Sequence, residues 1–374
     1  MSYYDLKKNI VCGCASFCAA AISLNQGFSS ESKWTHFGVR PLAMGNAYVA
    51  VADDFNAIFY NPAGLARLPD WHGELINPYV SISKSTSDLV KNLTSLQSSQ
   101  TDQVLSAIDE MTGKSYYVGA GLTPHLVFPN FGLGIGLDTY ASLAIHGDIS
   151  IDVDTRATAL IPVAFAQNFW GERLSLGTAV KYVATGGIDK NISIADIDSF
   201  KSNSDSSNGK SAKLTDYVDA GSGVGVDTGL LFTPKEIASE PTFGLSITDV
   251  GGTTMKATGS YLTPKTRPPS VNSGISFKPY KSPSSYILTS VDVHSINNRD
   301  HFSKKLNLGL EWSLGSILKL ETGLHQGELT GGFQFDAWLL VIRFATYSEQ
   351  IGSTAGEDDL FSERRYVLQL KVLI

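Results

Sequence analysis

Residues 131–146 have the sequence FGLGIGLDTYASLAIH, in which apolar side chains occupy the odd positions from Phe131 to Ile145, with Thr139 as the polar exception. Glycine and mostly polar or small side chains fill the even positions. A period of two is typical of a β-strand that turns one face toward an apolar environment. The alternation spans 16 residues, which is longer than most strands of a β-sandwich. The stretch therefore predicts a long strand with an apolar face and a polar or small face.

The same alternation recurs along the chain, for example from Leu306 to Leu314 and from Tyr366 to Ile374. It predicts about fourteen strands and an even count, as in closed bacterial barrels. The fold class that we expect is all-β: an antiparallel transmembrane β-barrel of about 14 strands. The strands are predicted near 73–84, 115–128, 131–146, 155–168, 172–186, 217–233, 241–250, 269–279, 283–294, 303–313, 316–325, 328–335, 338–348 and 363–374.

The connections between these strands alternate in length. Tight turns follow several even-numbered strands, as at Pro129-Asn130 and Gly315, whereas long segments such as 85–114 and 187–216 follow odd-numbered ones. Short turns on one side and long loops on the other are typical of outer-membrane barrels. A secreted β-sandwich would show the same alternation within each strand, and it remains the alternative architecture.

Composition agrees with a membrane barrel and excludes other classes. Charged residues are 17% of the chain, with 29 basic and 36 acidic side chains and a net charge of −7. An ordinary soluble domain carries about 25% charged residues. This balance leaves no basic excess to neutralise the phosphates of a nucleic acid. Beyond residue 30, no apolar run approaches the length of a transmembrane helix.

The first 24 residues have the layout of a secretory signal peptide. Lys7 and Lys8 precede an apolar run from about Ile10 to Leu24, and Ala21-Ile22-Ser23 is a fair cleavage site. The three cysteines, Cys12, Cys14 and Cys18, all lie within this stretch, so the remaining chain has no thiol. We expect residues 1–24 to be a signal peptide with an approximate cleavage site; the alternative is a buried N-terminal helix.

A segment between the signal and the first strand follows neither pattern. It contains many small residues, and an Asn61-Pro62 turn follows it. Small residues allow close packing inside a cavity; a short surface helix and turn is the alternative. Its most distinctive positions are Gly38, Arg40, Met44, Gly45, Asp53, Asp54, Asn61, Pro62, Ala63 and Gly64.

These positions resemble the N-terminal plug, or hatch, of the FadL/TodX-type outer-membrane transporters of hydrophobic compounds, a superfamily that includes PorV-like, TraF-like and treponemal FadL-like barrels. The shared pattern is approximately G-x-R-x-x-x-M-G-x-A-x-V-A-x-A-D-D followed by N-P-A-G-L. The resemblance implies a plug over residues 31–72 and a transmembrane barrel over residues 73–374.

The resemblance also implies a function: uptake of long-chain fatty acids or other hydrophobic compounds through a plugged barrel in the outer membrane of a diderm bacterium. The implied partners are a fatty acid-like ligand, outer-membrane lipid and the barrel assembly machinery, and the implied state is a monomer. Some branches of the superfamily act as scaffolds or shuttles for secretion or surface assembly, and this is the alternative function.

Cations on the polar strand faces are candidate contacts for a ligand carboxylate. They are Lys181, Lys305, Lys319 and Arg343. Acidic neighbours, such as Asp138, Glu311 and Glu321, could instead balance them as solvated lumen charges.

Other motifs predict no chemistry. Gly132-x-Gly134-x-Gly136 lies within a strand with no helix after it, so it does not indicate a phosphate loop. Ser222 lacks the strand–turn–helix context of a nucleophile elbow. The seven histidines are scattered, and no pair has helical metal spacing. The sequence therefore predicts no catalytic residue, no metal site, no cofactor and no enzyme, with a lipid hydrolase inside the barrel as the enzymatic alternative.

Overall fold

The computed structural model describes residues 38–88, 112–145, 151–192, 217–299, 302–337, 339–351 and 361–372. The predicted signal peptide, residues 1–24, lies outside these ranges. Among the described helices, none combines the length and hydropathy that crossing a bilayer requires.

The described chain is dominated by strands. Its helices are α1 (Val39–Ala43), α2 (Ala57–Tyr60), a 3₁₀ helix (Pro62–Arg67) and α3 (Phe302–Lys305), with a further helical turn at 84–88. The strands are β1 (His72–Glu74), β2 (Tyr79–Ser83), β3 (Lys114–Leu122), β4 (His125–Phe128), β5 (Phe131–Gly134), β6 (Gly136–Ile145), β7 (Ile151–Phe169), β8 (Leu174–Ile192), β9 (Asp219–Phe232), β10 (Thr242–Thr248), β11 (Lys256–Ala257), β12 (Ser270–Ser282), β13 (Ser285–Val293), β14 (Leu306–Leu314), β15 (Leu318–His325), β16 (Glu328–Ala337), β17 (Leu340–Ile351) and β18 (Phe361–Val372).

The strands form one closed antiparallel sheet. Each wall strand pairs with the wall strands before and after it in the chain, and β18 pairs with β2, with Arg365 opposite Ser83, to close the barrel. Three wall strands consist of two segments each: β1 with β2, β3 with β4, and β5 with β6. The two-residue β11 is a side piece that pairs with β9. The described wall therefore has fourteen strands, which confirms the predicted all-β fold and strand number.

The interruptions in the early strands fall together. β3 and β4 are separated by Thr123-Pro124, and β5 and β6 by Ile135, whose N–H donates to the Pro124 carbonyl across the gap at 2.8 Å. The side chain of Asn77 bonds both backbone groups of Thr123, at 2.7 Å each. The single long strands predicted over 115–128 and 131–146 are therefore each divided by an irregular step. The Asn77 side chain satisfies the backbone of the first step, and a backbone hydrogen bond joins the second step to the first.

The two faces of the wall have opposite chemistry. Large apolar side chains such as Phe165, Val180 and Phe333 are exposed on the outside, whereas the lumen side carries buried polar and charged residues. An unpaired apolar band around a closed sheet is the signature of a barrel in lipid. The sandwich alternative is excluded because its apolar faces would have to be covered by a second sheet.

Some element bounds differ from the sequence predictions. Strands β7 and β8 both extend further toward the long-loop end than predicted, where Asn191 donates to Asp152 at 2.6 Å across the pair. The predicted strand 303–313 begins only at Leu306, because Phe302–Lys305 forms α3. Polar residues do not signal a strand by hydropathy, so strand ends beyond the apolar band are set by pairing.

The aromatic residues divide between the two faces. Trp170, Tyr182 and Trp312 are exposed on the outside, as an interfacial position requires. Tyr347 is 2% exposed and Tyr286 donates to a lumen carboxylate, so both face inward. Trp338 lies outside the described residues. Tyr286 and Tyr347 therefore do not belong to an outer aromatic girdle, since the alternation of their strands points them into the lumen.

Candidate functional site: the plug and the lumen around it

Residues 38–67, which we call the plug, fold inside the barrel. Nearly every residue from Gly38 to Ala66 is buried. The first part packs against the wall residues Ala345, Tyr347 and Val367, and the last part against Val127, Ala164 and Leu231. The Asn130 N–H donates to the Leu65 carbonyl at 3.1 Å, so the 3₁₀ helix lies at the short-turn end of the barrel. The alternative of a surface helix and turn is therefore wrong.

The Met44-Gly45 position of the motif is a sharp turn pressed against the wall. Gly45 and Asn46 both adopt the left-handed region, with φ of 60° and 62°. A Cβ on Gly45 would lie 2.3 Å from the carbonyl oxygen of Leu308 on β14. Glycine is required here both by the backbone conformation and by the close approach.

The Asn61-Pro62 position ties the two halves of the plug to each other. The Asn61 side chain caps the 3₁₀ helix by accepting from the Ala63 N–H at 3.2 Å. Its amide donates to the Val49 carbonyl at 2.8 Å and contacts the Leu230 carbonyl of the wall at 3.3 Å. Pro62 occupies the first helical position, where no N–H is needed. This short motif thus satisfies buried backbone groups of both plug and wall.

Buried Arg40 is the centre of a charged cluster that joins the plug to the wall. Its guanidinium donates to both carboxylate oxygens of Glu311 on β14, at 2.6 and 3.0 Å. It also bonds the Tyr48 hydroxyl at 2.6 Å, Asp53 at 2.6 Å and Asp54 at 3.1 Å. We call these five residues the Arg40 cluster. Bidentate pairing of arginine with a carboxylate is strong and directional.

The acidic pair of the motif belongs to this cluster. Asp54 also accepts from the N–H of Asn56 at 2.9 Å, which shapes the turn before α2. Burial alone would raise the pKa of Asp54, but the positive charges of Arg40 and Arg343 outweigh it and hold that pKa at about 2. Asp54 is therefore an ionised carboxylate of the Arg40 cluster.

Glycines on the inner wall make room for the plug backbone. A Cβ on Gly229 would lie 1.9 Å from the amide oxygen of Asn61, and one on Gly177 would lie 2.4 Å from the Ala63 nitrogen. Gly323 faces the Gly45 nitrogen in the same way, at 2.6 Å. The inward glycines therefore allow plug and wall to meet at backbone distance, which leaves little space for water between them.

The four predicted lumen cations occupy different surroundings. Lys181 is buried and paired with Asp227 at 2.7 Å and Asp249 at 3.1 Å. The Lys305 ammonium bonds the Asn298 carbonyl near the long-loop end. Lys319 is partly exposed and lies 3.6 Å from Glu311.

Arg343 differs from the other three. It is 5% exposed, and its Nε donates to Gln334 at 2.8 Å, while its Nη1 has no hydrogen-bond partner. Of the four cations predicted from sequence, Arg343 thus keeps a buried donor open, and it is close enough to Asp54 to influence that carboxylate.

Sequence reasoning missed the partners of the plug. Glu311 is 271 residues from Arg40, and Asp292, whose carboxylate accepts from the Val49 N–H at 2.7 Å, is 243 residues from Val49. The alternation of apolar and polar residues along their strands predicts that both acids lie on the lumen face. Which plug group each acid meets depends on the barrel register.

Strand pairing also groups side chains that the sequence separates. His72, Glu74 and His125 offer ligand atoms that all lie within 4.8 Å of one another. The search for metal spacing along the chain could not find them, since antiparallel pairing of β1 with β4 brings them together.

The fold has known counterparts. No family model and no curated protein sequence matches the chain. The toluene transporter TodX of Pseudomonas putida is similar in structure, with a TM-score of 0.52 and 12% identity over 91% of this chain and 97% of that one. A TodX deltaS2S3 mutant, described as a monoaromatic hydrocarbon channel, gives a TM-score of 0.55 with 12% identity, covering 90% and 99% of the two chains. The chain therefore has the fold of the plugged barrels to which its motif is similar, as the resemblance to the FadL/TodX type predicted.

Proposed function

We propose that this protein takes up hydrophobic small molecules, long-chain fatty acids among them, across the outer membrane. The shared fold with a toluene transporter supports this proposal, as does an apolar outer band on a closed barrel. The signal-like first 24 residues agree with export. The surrounding partners are outer-membrane lipid and, during biogenesis, the barrel assembly machinery, with a monomer as the working unit.

The observation that carries the proposal is the way in which the plug is held. The plug is attached to β14 by the Arg40–Glu311 ion pair. Its other attachments are apolar packing on the wall and hydrogen bonds such as that from Thr330 to the Ala43 carbonyl at 2.9 Å. Such contacts can be exchanged for others one at a time. A plug held in this way closes the barrel to water at rest and can shift without unfolding the wall, whose ladder is independent of it.

Arg343 is the site at which an acidic ligand would act. A fatty-acid carboxylate that reaches the lumen beside the plug would meet the open Nη1 of Arg343 and form a charge-assisted hydrogen bond. Its negative charge would reduce the stabilisation that Asp54 receives from Arg343. The ligand would thereby weaken the Arg40 cluster and favour the shifted plug.

The test measures uptake of radiolabelled oleate by intact cells with and without the gene. Arg343→Gln should reduce uptake of oleate about tenfold, since one charge-assisted contact is worth ~1.5 kcal/mol or more. Uptake of toluene, which has no carboxylate, should fall less. The matched control is Lys235→Gln, which removes an exposed ion pair with Glu172 at a short turn.

The outcomes separate uptake from the scaffold function. Equal oleate uptake by cells with and without the gene, at normal levels of folded barrel, would contradict the proposal. A scaffold would show that result together with loss of a secreted or surface-assembled protein. If uptake depends on the gene but not on Arg343, the transport function stands and the assignment of Arg343 as the carboxylate contact is wrong.

A further inference from the structure

Three side chains at the short-turn end of the first wall strands converge on one point. Nε2 of His72 lies 2.8 Å from Oε1 of Glu74, and Nε2 of His125 lies 3.8 Å from the same oxygen. Nitrogen and oxygen ligands of a tetrahedral zinc ion, bound at about 2.0–2.1 Å, stand about 3.3 Å apart. The observed separations lie on either side of that value, so small side-chain movements would complete the geometry.

His125 presents an unused lone pair to this point. Its ring is buried, and Nδ1 lies 2.9 Å from the Thr123 carbonyl oxygen, which can only accept. Nδ1 therefore carries the proton, and in the neutral ring Nε2 is left as an acceptor. That nitrogen has no hydrogen-bond partner. A buried acceptor without a donor is costly, and a metal ion would satisfy it.

Hydrogen bonds from neighbouring groups hold Glu74 and His125 in position, as is usual for metal ligands. Asn77 donates to Oε2 of Glu74 at 3.1 Å and fixes the orientation of that carboxylate. The same amide donates to the Thr123 carbonyl that holds His125, and its oxygen accepts from the Thr123 N–H. Outer hydrogen bonds of this kind, from a carbonyl to imidazole and from an amide to carboxylate, set ring tautomer and ligand direction.

A lysine competes for the carboxylate. The Lys371 ammonium contacts Oε1 of Glu74, the oxygen that both histidines face. A cation is therefore already attracted to this oxygen, and a divalent ion would displace the ammonium. His72 is half-exposed and gives a path of entry, and the buried face of His125 stacks on Phe55 of the plug at 3.8 Å.

We propose that His72, Glu74 and His125 bind one divalent transition-metal ion of the zinc type at the short-turn end of the barrel wall. Two imidazoles and one carboxylate suit zinc better than magnesium or calcium, which prefer oxygen ligands. His72 binds through Nε2 after its proton moves to Nδ1. The bound ion fixes the His125 ring against Phe55, and so holds this part of the plug to the wall.

The test uses the full chain in detergent, purified without a histidine tag and freed of metal. Titration with Zn²⁺ by calorimetry should give one site per chain, and Co²⁺ should give the visible absorption of a tetrahedral complex. Zinc should also raise the thermal midpoint, because it binds the folded state alone. His72→Gln and His125→Gln should each weaken zinc binding at least about tenfold. His72 is half-exposed, so the His72→Gln variant should fold and can test the proposal even if His125→Gln fails to fold.

Two further variants make the assignment specific. Lys371→Met should tighten zinc binding, since it removes the competing charge. His294→Gln, which changes another buried wall histidine, should leave binding unchanged. The absence of a one-to-one site in the wild type, or binding that survives both His72→Gln and His125→Gln, would overturn the proposal. Unchanged affinity in Lys371→Met would also overturn it, because the ion would then not lie at Glu74.

Discussion

Replacing Arg40 with glutamine should release the plug while the barrel stays closed. Glu311, the bidentate partner of Arg40, is fully buried, and removing one member of a buried ion pair costs about 3–5 kcal/mol. Lys319 lies 3.6 Å from Glu311 and offsets part of the loss. We therefore expect the lower end, about 3 kcal/mol, which shifts the balance between docked and released plug about a hundredfold.

A single introduced thiol can measure this shift. The native cysteines, Cys12, Cys14 and Cys18, are replaced by serine, and Val51→Cys places a thiol of similar volume at a plug position that is 5% exposed. The rate at which a water-soluble maleimide labels this thiol reports the fraction of released plug. Arg40→Gln should raise the rate about a hundredfold. The shift in gel mobility between heated and unheated samples checks that the barrel is folded.

The double variant provides the sharper comparison. Adding Glu311→Gln to Arg40→Gln removes the uncompensated carboxylate, so part of the loss should be recovered and the two changes should not be additive. A labelling rate raised no more than about fivefold in folded Arg40→Gln, as loss of an exposed ion pair would give, would refute the reasoning. Additive effects in the double variant would show that Arg40 and Glu311 do not act as a pair.

Three other predictions concern the wall, the pH dependence and the topology. Gly229→Ala places a Cβ 1.9 Å from a plug amide oxygen and should raise thiol labelling, whereas Gly331→Ala, whose Cβ meets nothing nearer than 3.7 Å, should not. The pKa of Asp54 is lowered to about 2, so its contribution to the stability of the folded state is complete above the unfolded value of 3.8 and is lost as the pH falls through about 2. The thermal midpoint of the wild type should therefore decrease between these two pH values. The Asp54→Asn variant should lack the part of this decrease that is due to Asp54. A tag inserted at Ser204 should be labelled on intact cells, and one at Lys281, beside a short turn, should not be labelled. The reverse pattern would show that the short turns, and not the long loops, face the outside of the cell.

The sequence by itself determined which face of each strand is apolar and how many strands there are. Alternation is local, because successive side chains of an extended chain point to opposite sides. It therefore assigned Leu133 and Leu137 to the outside, and Gly132 and Glu311 to the lumen, before any pairing was known. The plug segment can also be recognised from the sequence, because close packing inside a barrel requires small side chains and the segment contains many of them.

The tertiary structure decided which side chains meet. Arg40 reaches Glu311, and His125 reaches Glu74, only after the barrel closes with a particular register. The register depends on many inter-strand hydrogen bonds and on the irregular steps at Thr123-Pro124 and Ile135. No short stretch of sequence determines it. The plug motif could thus be seen in the sequence, whereas the ion pair that holds it required the whole sheet to bring two residues 271 positions apart into contact.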